Sequence, residues 1–127
     1  MIDIDLRAHL LNNADIGDLV GTGIYALRLP QGTATTAIVY DVSNGFAEPQ
    51  IGSLETVIRH TVTLHVYSPS YVVMRQLTSY IINTMSGMKG VMGTTRVSGS
   101  YVDSNFNTYE EEQQLYRSII NLTIHTY

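Results

Sequence analysis

The alternation of apolar and polar residues is clearest between Thr56 and Tyr67, where it predicts a half-buried β-strand. One face of this strand carries Ile58, His60, Val62, Leu64 and Val66. The opposite face carries Val57, Arg59, Thr61, Thr63, His65 and Tyr67. After the stop at Ser68-Pro69-Ser70 the period becomes helical and predicts a helix over Tyr71–Met85. The buried stripe of this helix consists of Met74, Leu77, Ile81 and Met85.

Weaker patterns predict the other helices and strands. The helices are Ile4–Asn13 and a short turn at Asp15–Val20, and the strands are Ile24–Leu29, Thr36–Val42, about Met92–Asp103 and about Gln114–Thr126. A polar, acidic connection from Ser104 to Gln113 separates the last two strands. The order α-β-β-β-α-β-β indicates an α+β fold, a single largely antiparallel β-sheet with two main helices packed on one face. We expect residues 1–127 to form one domain, because this length is typical of one.

Composition narrows the classes of function. Only 14% of the 127 residues are charged, the net charge is −4 and nine residues are Tyr. Average domains carry about 25% charged residues, so the surface is either polar without charge or partly covered by neighbouring subunits. The acidic balance argues against nucleic-acid binding, which needs clustered Lys and Arg. The absence of Cys excludes disulfides and thiolate zinc sites and suits a reducing compartment.

The N-terminal stretch is acidic where a secretory signal would be basic, and no stretch approaches the roughly 20 apolar residues of a membrane helix. We therefore expect no membrane partner. Catalytic motifs such as G-x-S-x-G, the P-loop and H-E-x-x-H do not occur. Asp15 and Asp18 are either a carboxylate pair or the usual acids of a first helical turn. No enzyme activity and no cofactor are predicted.

The four histidines offer no convincing metal site. They are His9, His60, His65 and His125. His60 and His65 are five residues apart, so they face opposite sides of one strand. His65 and His125 could meet across strands on a polar face, without a neighbouring carboxylate in sequence. Histidines on a polar face or at a boundary are the simpler interpretation.

Two connections carry candidate interaction residues. The segment Ser43–Leu54 contains Phe46, Ile51 and Leu54, and it is too rich in Gly and Pro to predict a strand. These apolar side chains either fold back onto neighbouring strands or contact a neighbouring molecule that covers them. The run Glu110, Glu111 and Glu112 is either a solvated loop or an acidic channel lining that lets another polyanion pass.

Two longer stretches resemble a known family. They are GTGIYALRLPQGTATTAIVYDVS at residues 21–43 and HTVTLHVYSPSYVVMRQLTSYII at residues 60–82. Together with the order of elements they resemble the tail-completion proteins of tailed bacteriophages, also called tail terminators or head-tail joining proteins. One departure is Ala37, where many members are expected to have Pro before the I-V-Y strand.

The resemblance implies a sheet with helices against it and no catalytic residues. It also implies a homo-oligomeric ring, usually hexameric, that caps the tail tube and joins it to the head. The implied partners are other copies of the chain, the tail tube protein and the head-completion or connector protein, while DNA passes through the ring without sequence-specific binding. The implied location is the tail or neck of a virion assembled in bacterial cytoplasm. The alternative is a non-enzymatic module that binds a small ligand or a peptide in a pocket between helix and sheet.

Overall fold

The computed structural model describes residues 2–43, 45–48 and 57–126. Within these ranges the helices are α1 (Ile2–Asn12), α2 (Ala14–Val20) and α3 (Tyr71–Met85). The strands are β1 (Ile24–Ala26), β2 (Ala37–Val42), β3 (Phe46–Glu48), β4 (Val57–Ser68), β5 (Gly90–Met92), β6 (Thr95–Glu110) and β7 (Leu115–Thr126). The predicted α+β class is confirmed, and the bounds of α3 agree with the prediction.

The strands form one sheet in the order β1-β2-β4-β7-β6-β5, with β3 paired to the end of β4 beside β2. The sheet is largely antiparallel, as predicted, but β1 and β2 run parallel. The two longest ladders join β4 to β7 and β6 to β7. In the first of them Leu64 lies opposite Ile120, so the alternating faces of the two strands coincide.

The hydrophobic core lies between the helices and one face of the sheet. The predicted facing is confirmed, because Val62, Leu64 and Val66 of β4 are fully buried with the predicted stripe of α3. Helices α1 and α2 contribute Leu6, Leu10, Ile16 and Val20 to the same cluster. Strand β7 adds Ile120, Leu122 and Ile124. All three helices therefore cover the same face, and the opposite face of the sheet carries mostly polar side chains.

Side-chain caps fix where two helices begin. Asn13 Oδ1 accepts hydrogen bonds from the amides of Asp15 and Ile16 at 3.1 and 3.2 Å, so α2 starts immediately after it. Its Nδ2 donates to Thr84 Oγ1 of α3 at 3.1 Å. Ser70 caps α3 through the amide of Val73, as predicted. Asp15 is therefore an exposed first-turn acid behind an asparagine cap.

Three predicted boundaries are wrong. The strand predicted to end at Leu29 ends at Ala26, because Leu27 has a φ of 66° and turns the chain out of the sheet. The connection predicted over Ser104–Gln113 is largely strand, since β6 continues to Glu110 along β7. The connection after Ser43 contains a three-residue strand, β3, paired with β4. Strand pairing overrode a local composition typical of loops in both connections.

Candidate functional site

A group of exposed apolar side chains lies where the start of α3 meets the end of β6. Tyr71 and Val72 of α3 and Tyr109 of β6 are exposed there. Tyr116 of β7 connects Tyr71 and Tyr109, with its ring 5.6 Å from that of Tyr71 and 4.9 Å from that of Tyr109. Phe106 of β6 is also exposed, but it pairs with Ile119 and lies on the opposite, polar face of the sheet. Neighbouring exposed aromatic side chains of this kind are characteristic of surfaces that another molecule covers.

A groove of about 500 Å³ runs along the outer side of α3 from this group. It is lined by Tyr71, Val72, Arg75, Gln76, Ser79 and Tyr80. The alternative function predicted a pocket between helix and sheet, whereas this groove lies on the solvent side of the helix. The side chains of α3 that face the sheet, such as Leu77 and Ile81, are fully buried.

The outer edge of β6 is open over most of its length. Strand β5 pairs with β6 only as far as Val97, and no other described strand pairs with that edge beyond it. From Tyr101 to Tyr109 the side chains are exposed except for Val102, which is half-buried. There is no Lys or Pro between Gly99 and Gln114, although these residues commonly protect an edge strand from pairing. Two β-bulges, between Val97 and Gly99 and between Val102 and Ser104, interrupt the first half of β6, and the amide of Gly87 donates to the carbonyl of Ser100 at 2.8 Å. The regular part of the edge from Ser104 to Glu110 is therefore the part available for contact with another chain.

The opposite edge of the sheet is closed by hydrogen bonds. The carbonyl of Ile24 in β1 accepts from Arg7 Nε at 3.0 Å, and that of Ala26 accepts from the amide of Arg28 at 2.7 Å. The amide of Ile24 donates to the carbonyl of Thr22 at 2.9 Å. These bonds occupy groups that a further strand would need, so β1 is a poor site for strand addition.

The acidic run is divided by the structure. Glu110 ends β6 and accepts from Arg117 Nη1 at 2.8 Å, while Glu111 and Glu112 are exposed in the turn before β7. Arg117 also donates to His65 Nδ1 through Nε at 3.1 Å and Nη2 at 2.8 Å, and it lies 5.7 Å from the ring centroid of Tyr67. Glu110 thus ties the hairpin to the sheet, and Glu111 and Glu112 are the acids that point to solvent.

The histidines have separate surroundings. Because an arginine can only donate, His65 Nδ1 acts as an acceptor, and burial together with the charge of Arg117 lowers the pKa of His65. His65 lies opposite Ile119 and His125 lies opposite Arg59, so the meeting of His65 and His125 considered from the sequence does not occur. His60 Nε2 is 3.1 Å from Thr126 Oγ1. The described residues include no cluster of three or more His, Cys, Asp or Glu that could hold a metal ion.

Only part of the Ser43–Leu54 connection, for which a contact was predicted, lies within the described residues. The backbone of Phe46 pairs with Arg59 in β3, while Ile51 and Leu54 lie outside the described residues. Its prediction as a segment without strand is wrong for Phe46–Glu48. The role of Phe46, Ile51 and Leu54 in contacting another subunit or the tail tube stays a prediction.

The sequence analysis did not predict the role of Asp5, a carboxylate that joins helix α1 to the turn between β5 and β6. Asp5 of α1 is buried and accepts hydrogen bonds from Thr95 Oγ1 and, at 2.9 Å, from Thr94 Oγ1 in the turn between β5 and β6. These bonds lower the pKa of Asp5, the bond from Thr95 contributing most. Asp5 and Thr94 are 89 residues apart, so no local pattern signals their contact.

A pH dependence of stability follows from Asp5. Because its pKa is lower in the folded than in the unfolded chain, the ionised carboxylate stabilises the fold above the unfolded pKa, and this contribution is lost as the pH falls through the folded pKa. Wild-type protein should therefore lose more stability between neutral pH and about pH 3 than Asp5→Asn, measured by urea unfolding. Asp18→Asn, which changes an exposed acid of α2, is the control and should follow the wild type. Equal losses for Asp5→Asn and the wild type would contradict the assignment.

Comparisons with known proteins place this fold in a family. Residues 4–127 match the family described as tail completion protein gp17. Seven chains of solved structures match. One belongs to the virion of a native gene transfer agent particle, with a TM-score of 0.71 at 16% identity over 95% of this chain and 93% of that chain. No curated protein matches the sequence.

The class that these observations define is that of the phage tail structural proteins. The chain belongs to the family of tail completion protein gp17, because the match covers nearly its whole length, and the predicted resemblance is confirmed. The protein is therefore located in the phage particle. At 16% identity, the gene transfer agent chain shows a shared fold alone. No helix in the described part of the chain is long and apolar enough to cross a membrane.

Proposed function

We propose that this chain is the subunit of a closed ring, of six copies, that caps the phage tail tube and joins the tail to the head. The observation that carries the proposal is the family match over residues 4–127. The ring lets DNA pass without sequence-specific binding, and it meets the tail tube protein on one side and a head-completion or connector protein on the other. Assembly takes place in the cytoplasm of the bacterial host.

The surface of the protein supports a role in assembly. Only 14% of the residues are charged, and the exposed side chains include Tyr71, Phe106 and Tyr109 near the open part of the β6 edge. A chain that stays alone in solution with such a surface would tend to aggregate, because exposed apolar patches and open strand edges promote association. Association with defined neighbours buries both features. The acidic balance agrees with a ring that surrounds DNA without holding it.

The expected result of a direct test is a ring. Purified full-length protein should pass from monomer to one larger species as its concentration rises in sedimentation experiments, or on addition of isolated tail tubes from a phage that lacks its completion protein. Electron micrographs should then show a ring at one end of each tube. A protein that stays monomeric at high concentration and leaves the tubes uncapped would contradict the proposal. A monomer that caps tubes would show that the tube nucleates the ring.

A further inference from the structure

The two ends of strand β6 carry charges of opposite sign. Between Val97 and Tyr116 the chain has no Lys or Arg, and its acids are Asp103 and the run Glu110–Glu112. At the other end, the turn between β5 and β6 is flanked by Lys89 and Arg96, both exposed. The acidic end is the β6–β7 turn with Glu111 and Glu112, and the basic end is the β5–β6 turn with Lys89 and Arg96.

Each end also exposes large apolar side chains. At the acidic end, Phe106 and Tyr109 are 52% and 46% exposed. At the basic end Val91, which lies opposite Arg96 in the β5–β6 ladder, is 69% exposed. Ile4 is 64% exposed and belongs to the same end, because the next residue, Asp5, is bonded to Thr94 and Thr95 of the β5–β6 turn. Each end thus exposes one apolar side chain on either face of the sheet. The exposed charges beside the two turns differ in sign, although Asp5 is bound at the basic end and Arg117 pairs with Glu110 at the acidic end.

The distance between the two ends makes them separate patches. Arg96 and Glu110 are the second and the last residues of the 16-residue strand β6, which places them on the order of 45 Å apart at about 3.3 Å per residue. A patch cannot fold back onto its own partner over that distance. Complementary patches at opposite ends of a molecule produce head-to-tail contacts, and these close into a ring when the rotation between copies allows it.

We infer that the acidic end of one copy contacts the basic end of the next copy, so that these two surfaces form the repeating contact between subunits. The inference rests on the proposed ring and names the surfaces that build it. On the polar face of the sheet Phe106 of one copy packs against Val91 of the next, and on the helix-covered face Tyr109 packs against Ile4. Glu111 and Glu112 face Lys89 and Arg96, and the neighbour covers the open edge of β6. Glu111 and Glu112 therefore serve the contact between subunits and not the lining of the channel.

The alternative in which neighbouring sheets simply continue into one another is disfavoured. It would pair the open edge of β6 with β1 of the next copy, but the outward carbonyls of Ile24 and Ala26 already accept hydrogen bonds from Arg7 and Arg28. Contact of two acidic ends around a two-fold axis would bring Glu111 and Glu112 against their own copies, and like charges facing each other are unfavourable. The head-to-tail contact avoids both costs.

Charge reversal at each end separates these arrangements. Glu111→Lys with Glu112→Lys makes both ends basic, and Lys89→Glu with Arg96→Glu makes both ends acidic. Each double variant alone should associate roughly tenfold or more weakly than the wild type, because like charges then face each other. An equimolar mixture of the two should form rings of alternating subunits. The control Asp15→Lys with Asp18→Lys makes the same change of charge on α2 and should assemble normally.

The measurements are sedimentation and electron microscopy of the full-length variants, with thermal unfolding to show that each still folds. If Lys89→Glu with Arg96→Glu unfolds, Lys89→Glu alone takes its place in the mixture. Rings formed by each double variant on its own would overturn this inference while leaving the proposed ring intact. Recovery in the mixture supports it, and variants that stay apart in the mixture count against it. A wild type that neither associates nor caps tail tubes would remove the proposed function and this contact together.

Replacement of Glu111 and Glu112 by Gln distinguishes the contact from a channel lining, and Glu110 is kept because it binds Arg117 within the fold. The contact predicts weaker ring formation, with less dependence on salt than in the wild type, because charge attraction between copies is lost. A channel lining predicts normal rings with altered passage of DNA. Normal rings and altered DNA passage would therefore overturn the inference.

Discussion

Leu77→Ala is expected to lower the free energy of unfolding by about 2–5 kcal/mol, and Leu64→Ala by a similar amount. Both side chains are fully buried, Leu77 on the side of α3 that faces the sheet and Leu64 on the strand face beneath the helices. Removal of either leaves a cavity that the two packed layers close only in part. The loss contains both the transfer free energy of the missing methyl groups and the cost of that cavity.

Urea unfolding followed by circular dichroism measures this loss in the isolated chain. Val72→Ala is the matched control, because Val72 lies on the same helix and is 62% exposed. It should change the free energy of unfolding by less than about 0.5 kcal/mol. Losses below about 1 kcal/mol for both leucine variants would show that the two layers do not pack as the structure places them.

The sequence predicted the elements whose burial alternates. Strand β4 and helix α3 were recognised because one side of each is buried, and burial imposes period two on the strand and the 3.6-residue period on the helix. The second half of β6 was missed because its residues from Asp103 to Tyr109 are exposed on both faces, so no alternation marks them. It is held as a strand by its ladder with β7, which is a long-range contact.

The surfaces assigned to assembly could not be read from local patterns for a related reason. An open edge exists only once the strand order is known, and β6 follows β5 along the chain but extends far beyond it in the sheet. The hydrogen bond from Arg7 to the carbonyl of Ile24, which closes the edge of β1, joins residues 17 positions apart. The acidic run was identified from the sequence, whereas the bond from Arg117 that separates Glu110 from its neighbours required the fold.

Gly93→Ala should destabilise the protein through both backbone strain and a side-chain clash. Gly93 has a φ of 62°, and a β-carbon there would lie 2.4 Å from Asp5 Oδ1. The left-handed backbone costs about 1–2 kcal/mol for alanine. Displacing the carboxylate weakens the hydrogen bonds from Thr94 and Thr95, at a further cost of about 1–3 kcal/mol. We expect a total loss of about 2–5 kcal/mol in urea unfolding.

Gly87→Ala isolates the backbone part of this loss. Gly87 also has a positive φ, 72°, but a β-carbon there meets nothing within 4 Å among the described residues. It should therefore cost only about 1–2 kcal/mol. In the background of Asp5→Ala the contacts with Oδ1 and Cγ are removed and only the contact with the β-carbon of residue 5, at 3.3 Å, remains. The cost of Gly93→Ala should then fall towards that of Gly87→Ala, a coupling that a double-mutant cycle measures. Equal costs for Gly93→Ala and Gly87→Ala in the wild-type background would mean that Asp5 does not bind across this turn, and the basic end would then lose its connection to α1.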